Sequence, residues 1–405
     1  MFLVITMRII MNIDVNNAFL SWSAIDLLNN GSKYDIRNSY AAIGGDVKAR
    51  RGIVLAKSNP AKKQGVVTAE TLYSAKKKCP ALRIYEPNFK FYSKMSHSMF
   101  ELLRKYTSDI EVASIDECYL DYGKIKKIYG DEVEFAKKIQ KEIFDTLGFT
   151  VNIGIANNKL CAKMASDFSK PNKIHTNFEY EIKDKMWPLD ISELFGIGKR
   201  TALKLNQMGI YTIYDLAHTT YDKLYPYFKN QSEYIINIAN GIDDTEVIAE
   251  PPEPKGIGSE ITLPKDCDSK MELYNYLENI AEDVSIRLNA VKKYAYVVCV
   301  ILKDNTFKRY SHQKKLVNAI CSSKDIFNVS KEVLNEIYDN RPIRLIGIRL
   351  DKLVDTLYHQ ESLFDSFDDI KKDNNLDKTL LDLKNKYGSN VIKKAGLKRI
   401  NHLKH

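Results

Sequence analysis

The chain lacks the sequence features that mark secreted, disulfide-stabilised or membrane-spanning proteins. No apolar run approaches the roughly 18 residues that a membrane span requires. The apolar start, MFLVITMRIIMNID, is interrupted by Arg8, ends at Asp14 and has no small-residue cleavage site, so we interpret it as a buried first strand, with Met7 as an alternative translation start. No two cysteines form a CxxC pair, which indicates reduced thiols in a cytoplasmic protein and neither zinc nor disulfides. The cysteines are Cys79, Cys118, Cys161, Cys267, Cys299 and Cys321.

Length and charge narrow the class of protein further. A chain of 405 residues is too long for one ordinary core and predicts two to four domains. Its 44% hydrophobic and 28% charged residues are typical of a soluble globular protein. The 61 Lys and Arg against 52 Asp and Glu give a net charge of +9, which indicates a polyanionic partner without naming it.

The pattern of the sequence changes several times along the chain. Strand and helix patterns alternate over residues 1–175, which predicts an α+β or α/β core. Within it, AAIGGD and RGIVLAKS predict two short strands joined by a turn, and DEVEFAKKIQKEIFDTLG predicts an amphipathic helix that Gly148 ends. The predicted apolar stripe of this helix consists of Val133, Ala136, Ile139, Ile143 and Leu147. Residues 180–248 are helical with short loops, and AEPPEPKG at 249–256 is typical of an extended linker. Residues 257–355 return to alternation. The last fifty residues are polar and contain one amphipathic helix, residues 376–387, to which we assign no role.

Two adjacent acids interrupt a strand pattern in VASIDECYLDY, residues 112–122. Asp116 and Glu117 have two interpretations: a solvent-exposed strand end or turn, or a metal site. A two-metal site for nucleotidyl transfer needs carboxylates from different segments, and Asp14 ends an earlier strand. Because neighbouring strand residues point to opposite faces, both acids can reach a metal only near a strand end or a bulge.

These acids lie in segments with a recognisable order. SIDECYLD, preceded by IDVNNAFLSW, resembles the signature pair of the Y-family DNA polymerases, the translesion enzymes, in the DNA polymerase IV form of low-GC Gram-positive bacteria. The resemblance covers nearly the whole chain. IGGDVKARRGIVLAKSNPAKKQGV is similar to the fingers, VNIGIANNKLCAKMASDFSKPNK to the palm strand and triphosphate loop, LFGIGKRTALKL to the thumb hairpin, and KGIGSEITL to the start of the little finger.

The resemblance implies an α+β, multidomain right-hand polymerase. We expect a ferredoxin-like palm from residues 1–17 and 85–175, and small fingers from 18–84. A helical thumb with a helix-hairpin-helix would occupy 176–248, followed by the linker at 249–256. An α/β little finger would occupy 257–355, and a C-terminal tail 356–405.

It also implies an active site. Asp14, Asp116 and Glu117 match the carboxylates that bind two Mg²⁺ ions, with the backbone carbonyl of Val15 completing one shell. Asp116 would bridge both ions, and Glu117 would bind the ion that activates the primer 3′-hydroxyl. Phe19 matches the steric gate that excludes a 2′-hydroxyl; the alternative is a core aromatic on an amphipathic helix.

Two lysines match the contacts to the triphosphate of the incoming nucleotide. Lys62 stands where the family more often has arginine, and Asn59 stands where it has tyrosine. Lysine is a point charge without the bidentate fork of arginine, so the grip on the nucleotide is in question. Lys170, in SKPNK, is the second contact. Neighbouring basic residues fit a solvated face equally well: Lys63, Lys76, Lys77 and Lys78.

Two regions are expected to bind the DNA backbone. Gly196 and Gly198 form a hairpin that lets phosphate approach the following helix start, flanked by Lys199 and Arg200; the alternative is an ordinary helix connection. In the C-terminal domain, a basic sheet face would follow a duplex, and the alternative is a generic β-surface. Its basic residues are Lys292, Lys293, Lys303, Lys308, Arg309, Lys314 and Lys315, accompanied by one acid, Asp304.

The tail contains a short motif, HQESLFDSF. Gln360, Leu363 and Phe364 have the QxxLF spacing of the bacterial peptide that docks in the sliding clamp, where Gln binds the rim and the apolar pair fills a pocket. The alternative is that Leu363 and Phe364 pack back onto the little finger.

The resemblance implies a template-directed, error-prone DNA polymerase that inserts deoxynucleoside triphosphates opposite damaged bases and has no proofreading exonuclease. Primer–template DNA, dNTP and the sliding clamp are the expected partners of a cytoplasmic monomer. Two alternatives remain. A nucleotidyl cyclase palm would use similar acids, and Gly44–Asp46 (GGD) favours it, although a cyclase has no use for a helix-hairpin-helix. A non-catalytic DNA-binding protein would be expected to have lost a carboxylate.

Overall fold

The computed structural model describes residues 8–46, 50 and 52–356 of the chain. These residues fall into two compact units: the first holds the described residues up to Gly45 together with Ile53–Pro251, and the second holds Asp46, Arg50, Gly52 and the chain from Pro252 onward. In this part of the chain no helix is long and apolar enough to cross a membrane.

Strands make up three sheets. They are β1 (Ile10–Val15), β2 (Ala41–Gly44), β3 (Val54–Lys57), β4 (Arg83–Tyr85), β5 (Ile110–Val112), β6 (Glu117–Asp121), β7 (Val151–Ala156), β8 (Ile174–Thr176), β9 (Gly256–Cys267), β10 (Tyr294–Asp304), β11 (Arg309–Ile320) and β12 (Ile343–Val354).

Helices cover or connect these sheets. They are α1 (Ala18–Asn29), α2 (Asn59–Lys63), α3 (Leu72–Lys78), α4 (Phe89–Arg104), α5 (Lys126–Tyr129), α6 (Glu132–Leu147), α7 (Lys159–Asp167), α8 (Ile182–Lys185), α9 (Lys199–Gln207), α10 (Ile213–Ala217), α11 (Tyr221–Phe228), α12 (Gln231–Ala239), α13 (Lys270–Ala290) and α14 (Ser323–Ile337).

The central sheet of the first unit has the order β5-β6-β1-β7-β8 and is covered on both faces. Met11, Ile13 and Val15 of β1 pack in one core with α4 and α6. Ile10, on the opposite face, packs in a second core with α7 and the helices that follow. A central strand that is buried on both faces has few sites for polar groups, so the acids of this sheet lie at its ends.

The helix α6 shows how residues within one short segment determine where a helix begins and ends. The Asp131 side chain accepts hydrogen bonds from the N–H groups of Val133 and Glu134, and Gly148 ends the helix with φ of +78°. The predicted apolar stripe is confirmed at Ala136, Ile139 and Ile143, which are buried; Val133 and Leu147 are partly buried, and buried Phe135 was absent from the prediction.

A smaller sheet, ordered β3-β2-β4, packs against α2 and α3 around a core that includes Val54, Ala61 and Leu72. The two strands predicted around Gly44 and Ile53 are therefore confirmed, with β2 and β3 antiparallel. From Ile182 to Ala239 the chain is helical with short loops, as the sequence indicates.

The second unit is an antiparallel sheet with two helices on one face. The strand order is β11-β10-β12-β9, and α13 and α14 pack on the side chains of Val298, Val300 and Leu302. β9 and β12 are neighbours, with Gly256 opposite Asp351, so the first and last described strands of the unit lie side by side. Residues 251–254, in the expected linker, contain no helix or strand.

Candidate active site

The three predicted carboxylate residues meet where two central strands end. β1 and β6 pair antiparallel, with Asp14 directly opposite Glu117. The N–H of Val15 donates a hydrogen bond to the carbonyl of Asp116 at 3.0 Å. β6 begins at Glu117, so Asp116 immediately precedes the strand. The condition that two adjacent acids sit at a strand end, where both can face one site, is confirmed.

A lysine from α7 lies between these acids. The Nζ of Lys163 is 2.7 Å from Asp14 Oδ2, 3.2 Å from Glu117 Oε1 and 3.3 Å from Asp167 Oδ2. The residue is only 8% exposed. Burial alone would lower the pKa of Lys163, but the carboxylates of Asp14 and Glu117 raise it above the usual value, so the ammonium stays charged.

The second lysine of the site, Lys170, contacts the same carboxylate. Its Nζ is 2.8 Å from Asp14 Oδ1 and 2.8 Å from Asp167 Oδ1. Burial would lower the pKa of Lys170, and the two carboxylates, with Asp14 the stronger, raise it. Both oxygens of Asp14 are thus held by ammonium groups that come from α7 and the loop after it.

Buried asparagines fix the loop that carries Lys170. Asn16 Nδ2 donates to Asn152 Oδ1 at 2.9 Å, and Asn16 Oδ1 accepts from the N–H of Asn172 at 2.8 Å. The Nδ2 of Asn152 donates to the carbonyls of Ser166 and Ser169 at 2.8 and 2.6 Å. This network ties the loop to β1 and β7, which positions Lys170 over Asp14.

The donor set fits a hard divalent cation, although the side chains are not gathered around one point. Asp116 Oδ1 accepts from the Ser114 hydroxyl at 2.6 Å, and Glu117 Oε1 accepts from Asn12 Nδ2 at 2.8 Å. Among residues 8–46, 50 and 52–356, no group of three or more acids, histidines or cysteines is arranged to hold a metal. Carboxylate oxygens are nevertheless the ligands that Mg²⁺ prefers, and here they already attract cations.

Phe19 lies at the edge of an aromatic cluster. It follows Asp14 by five residues, in the first turn of α1, and its ring stacks on Tyr92 with centroids 5.1 Å apart. The rings of Trp22 and Phe89 also lie beside it, with their centroids 6.3 and 6.2 Å from the centroid of the Phe19 ring. The residue is only partly buried. The core-packing interpretation of Phe19 is therefore confirmed in part, and its role as a steric gate stays a prediction.

The segment that contains Lys62 is a short, well-anchored helix. The hydroxyl of Ser58, to which the sequence assigns no role, accepts from the N–H of Ala61 and donates to the carbonyl of Ser39 at 2.6 Å. Asn59 begins α2, and Lys62 is exposed near its end. Gly44, of the GGD that favoured a cyclase, ends β2 in the smaller sheet, away from the strands that carry the acids.

The glycine hairpin has the expected backbone form. Gly196 has φ of +94°, and Gly198 is the N-cap of α9, where a Cβ would have open space around it to a distance of 4 Å. Lys199 and Arg200 are exposed in the first helical turn. Ala202 and Leu205 are buried, so the exposed N-terminal turn is held by a packed helix.

The prediction of one basic sheet face in the second unit is wrong, because its lysines divide among different surroundings. Lys293 is buried and bonds to Glu253 and Asp355, at 2.6 and 2.5 Å. Lys314 turns toward α14, where it meets Glu332. Side chains that alternate along a strand point to opposite faces, so consecutive basic residues cannot share one.

Three of the basic residues lie on the open face of this sheet, opposite α13 and α14: Lys303, Arg309 and Lys315. Lys303 and Arg309 are cross-strand partners, and Arg309 pairs with Glu260. Lys308 stands in the turn before β11, with its Nζ 5.2 Å from the centre of the Tyr310 ring. Lys292 lies in the turn after α13. The buried side chain of Asp304 accepts hydrogen bonds from the N–H groups of Thr306 and Lys308, in the turn between β10 and β11.

Some predicted features lie outside the described residues. These are Gln360, Leu363 and Phe364 of the clamp motif, the amphipathic helix at 376–387, and Met7.

Sequence reasoning missed Lys163, which contacts two of the three predicted acids. A signal was present: its neighbours in α7 are nearly all apolar or small, and a lysine in such a helix needs an acidic partner when it is buried. Asn152 and Asn16 were also missed. A lone asparagine inside VNIGIA, an otherwise apolar strand, was the signal for a buried polar network.

Family models match most of the described chain. The impB/mucB/samB family matches residues 13–167, its C-terminal domain matches 254–363, and the HHH motif of the IMS family matches 181–210. The last match coincides with the Gly196 hairpin.

Curated relatives and solved structures agree with these matches. The chain is 44% identical to DNA polymerase IV of Clostridium acetobutylicum, over 96% of this chain and 98% of the relative. It is 34% identical to DNA polymerase IV 1 of Bacillus subtilis, over 96% and 92%. A Y-family DNA polymerase chimera of Dbh and Dpo4 superposes with a TM-score of 0.75 at 27% identity, covering 86% of this chain and all of the other. For DinB from Sulfolobus solfataricus the TM-score is 0.56 at 27% identity, over 85% and 98%.

Proposed function

Since the chain belongs to the impB/mucB/samB family, and is a Y-family DNA-directed DNA polymerase of the DNA polymerase IV type, we propose that it performs error-prone translesion synthesis. It adds deoxynucleotides to a primer 3′-hydroxyl opposite damaged template bases by two-metal transfer, and it has no proofreading exonuclease. The observation that carries this proposal is the pairing of Asp14 with Glu117 in register, with Asp116 at the adjoining strand end.

The fold is that of a right-hand polymerase, with palm, fingers, helical thumb and little finger. We assign the palm to residues 1–17 and 85–175, the fingers to 18–84 and the thumb to 176–248. The linker is 249–256, the little finger 257–355 and the tail 356–405. The central sheet then belongs to the palm, and the glycine hairpin to the thumb.

Polymerases of this family need divalent metal ions, and Asp14, Asp116, Glu117 and the Val15 carbonyl are the residues proposed to hold two Mg²⁺. When bound, these ions supply activation of the 3′-hydroxyl and charge neutralisation at the departing pyrophosphate. The protein contributes prepositioned carboxylates at the ends of rigid strands, which cost little reorganisation during the reaction. Lys163, buried beside Asp14 and Glu117, balances part of their negative charge.

The lysines are proposed to bind the nucleotide. Lys170 contacts Asp14 and Asp167 here, and a triphosphate would offer the same ammonium a further anion. Lys62, exposed at the end of α2, is the corresponding group from the fingers. The ring of Phe19, which is only partly buried, is proposed to lie under the sugar, where a 2′-hydroxyl would collide with it.

DNA is proposed to bind through its backbone, because the groups involved read phosphate and not sequence. The N–H groups at the start of α9 face solvent beside Gly196, Gly198, Lys199 and Arg200. In the little finger, Lys308 and Arg309 are the contacts we propose.

We propose further that Gln360, Leu363 and Phe364 bind the sliding clamp, and that the enzyme is a cytoplasmic monomer. Changing Leu363 and Phe364 to alanine should abolish the stimulation of synthesis by the clamp and leave distributive synthesis intact. Equal stimulation of the wild type and the double variant by the clamp would contradict the assignment of these residues to clamp binding.

The test of the main proposal is primer extension on a short primer–template with Mg²⁺ and all four dNTPs, comparing the wild type with Asp116→Asn. The substitution keeps the size of the side chain and removes the charge that metal binding needs. We expect the wild type alone to extend. Ser114→Ala, which removes only the hydroxyl bonded to Asp116, is the matched control and should remain active.

Extension by both the wild type and Asp116→Asn would show that the metal site does not depend on Asp116 and lies elsewhere. DNA binding without extension by either protein would favour the non-catalytic alternative.

A further inference from the structure

Lys57 occupies the last position of β3 and is only partly buried. Val54 and Ala56 are buried, whereas Leu55 and Lys57 are only partly buried, as the alternation of a strand requires. The buried hydroxyl of Ser58 fixes the junction between β3 and α2 directly after it. The backbone that presents Lys57 is therefore well anchored.

A hydrogen bond connects this position to the proposed catalytic segment. Asn17 Nδ2 donates to the carbonyl of Lys57 at 2.7 Å. Asn17 stands between Asp14 and Phe19 in the chain and has φ of +50°, at the tight turn from β1 into α1. The end of β3 is thus held against the loop that joins a proposed metal ligand to the proposed gate.

The charge around Lys57 is unbalanced. Its Nζ donates to Thr68 Oγ1 at 2.9 Å, a neutral partner. Burial lowers the pKa of Lys57, the ammonium of Lys62 lowers it further, and the carboxylate of Glu70 opposes both. Glu70 itself is bonded to Lys78 at 2.7 Å. Two ammonium groups that repel each other, on the strand and helix that adjoin at Ser58, form a place where an anion gains from both.

We propose that Lys57 and Lys62 act together on the triphosphate of the incoming nucleotide, with Lys57 as an additional charged contact from β3. This inference rests on the proposed polymerase function. It accounts for the replacement of the usual arginine and tyrosine by Lys62 and Asn59, because two ammonium groups from different elements supply positive charge from two directions in place of one guanidinium fork and one hydroxyl.

The test compares Lys57→Met with the wild type in steady-state insertion of each of the four dNTPs. Methionine keeps the apolar stem and removes the charge. We expect the KM for dNTP to rise about tenfold, because a hydrogen bond to a charged group is lost. Since all four substrates share the triphosphate, the rise should be the same for each, with kcat changed much less.

Three further variants separate binding from structure. Lys57→Arg should restore most of the affinity, because it retains the charge. Thr68→Val removes the hydrogen bond that Lys57 donates to Thr68 and keeps the charge of Lys57. It should leave the KM for dNTP within about twofold of the wild-type value. Lys76→Met, at an exposed lysine of α3, is the matched control and should change nothing.

Nucleotide affinity measured on a primer with a dideoxy end gives a readout without turnover, and Lys57→Met should weaken it by the same factor. An unchanged KM in Lys57→Met with an active wild type would overturn this inference and leave the polymerase function standing. A change confined to one base would also overturn it, because the contact would then be to the base. If the wild type does not extend the primer, the proposed polymerase function is itself contradicted.

Discussion

At the scale of single residues, the cluster around Asp14 explains how acids are kept together inside a sheet. An unpaired charge in such a place costs several kcal/mol, and the ammonium groups of Lys163 and Lys170 offset part of that cost at Asp14. The side chain of Asp116 instead accepts a hydrogen bond from the Ser114 hydroxyl. Asp14 and Glu117 therefore lie side by side with a shared cationic partner, Lys163.

Phe19 gives a test of nucleotide selection at this scale. Phe19→Leu shortens the group proposed to exclude the 2′-hydroxyl and keeps an apolar side chain against Tyr92. We expect the preference for dNTP over rNTP, measured as the ratio of kcat/KM values, to fall by roughly a hundredfold.

Phe89→Leu is the matched control, because Phe89 contacts the Phe19 ring at its edge and is half exposed. It should leave sugar preference as in the wild type. A gate role for Phe19 would be contradicted if both variants shifted the preference equally, since that would report a loosened aromatic cluster.

At the scale of elements, the contact between β7 and α7 sets the position of Lys163. A Cβ on Gly154 would lie 1.9 Å from the carbonyl oxygen of Ala162 and 2.4 Å from the amide nitrogen of Ser166. Both are backbone atoms, so the helix can approach the strand this closely only because residue 154 has no side chain.

We expect Gly154→Ala to lower the free energy of unfolding of the first unit by about 3 kcal/mol, because α7 must move away from the sheet. Urea unfolding followed by tryptophan fluorescence measures this unit, since both tryptophans, Trp22 and Trp187, lie in it.

Gly198→Ala is the control for this substitution. Its φ is −78° and no atom lies within 4 Å of the added methyl, so the only expected cost is the poorer N-capping by alanine, and the free energy of unfolding should fall by about 1 kcal/mol or less. A similar loss in both variants would mean that the close approach at Gly154 is not what determines stability.

The sequence was sufficient for elements whose signals are local. α6 carries its N-cap, its apolar stripe and its terminal glycine within one short segment, and it formed where predicted. Alternation restricted Asp116 and Glu117 to a strand end or a bulge if both were to face one site, and the structure has the strand end. The fold class needed more, because the order of the strands is not local; the resemblance to a family supplied it.

The sequence was insufficient for lysines with distant partners. Lys163 bonds to Asp14, 149 residues away, and Lys293 bonds to Glu253 and Asp355, 40 and 62 residues away. The apolar neighbours of Lys163 indicate that it needs an acidic partner, but a local pattern holds no information about which acid arrives with another strand. This is why Lys163 was missed and Lys293 was assigned to the wrong surface.

At the scale of the whole molecule, positive charge is expected to dominate DNA binding. The net charge is +9, and the proposed contacts are to phosphates, each of which releases a condensed counterion when it is neutralised. Affinity for primer–template should therefore fall steeply with salt and depend little on sequence.

Changing Lys199 and Arg200 together to alanine should lower the magnitude of the slope of log K against log salt by about 2, because two phosphate contacts are lost. Fluorescence anisotropy of a labelled primer–template over a salt series measures this slope. As a control, the pair Lys76 and Lys77 carries the same charge on α3. An equal change of slope in that control would show that net charge, and not the hairpin, is responsible.

The neighbouring positions of β9 and β12 have a consequence for how such proteins diversify. Because β9 lies beside β12, the first and last strands of this sheet are neighbours, and Lys293 bonds both to Glu253, before β9, and to Asp355, after β12. A sheet whose ends are tied together in this way can be exchanged by recombination as one segment without cutting a core. Its surface can then evolve as a separate cassette while the central sheet of the first unit is inherited unchanged.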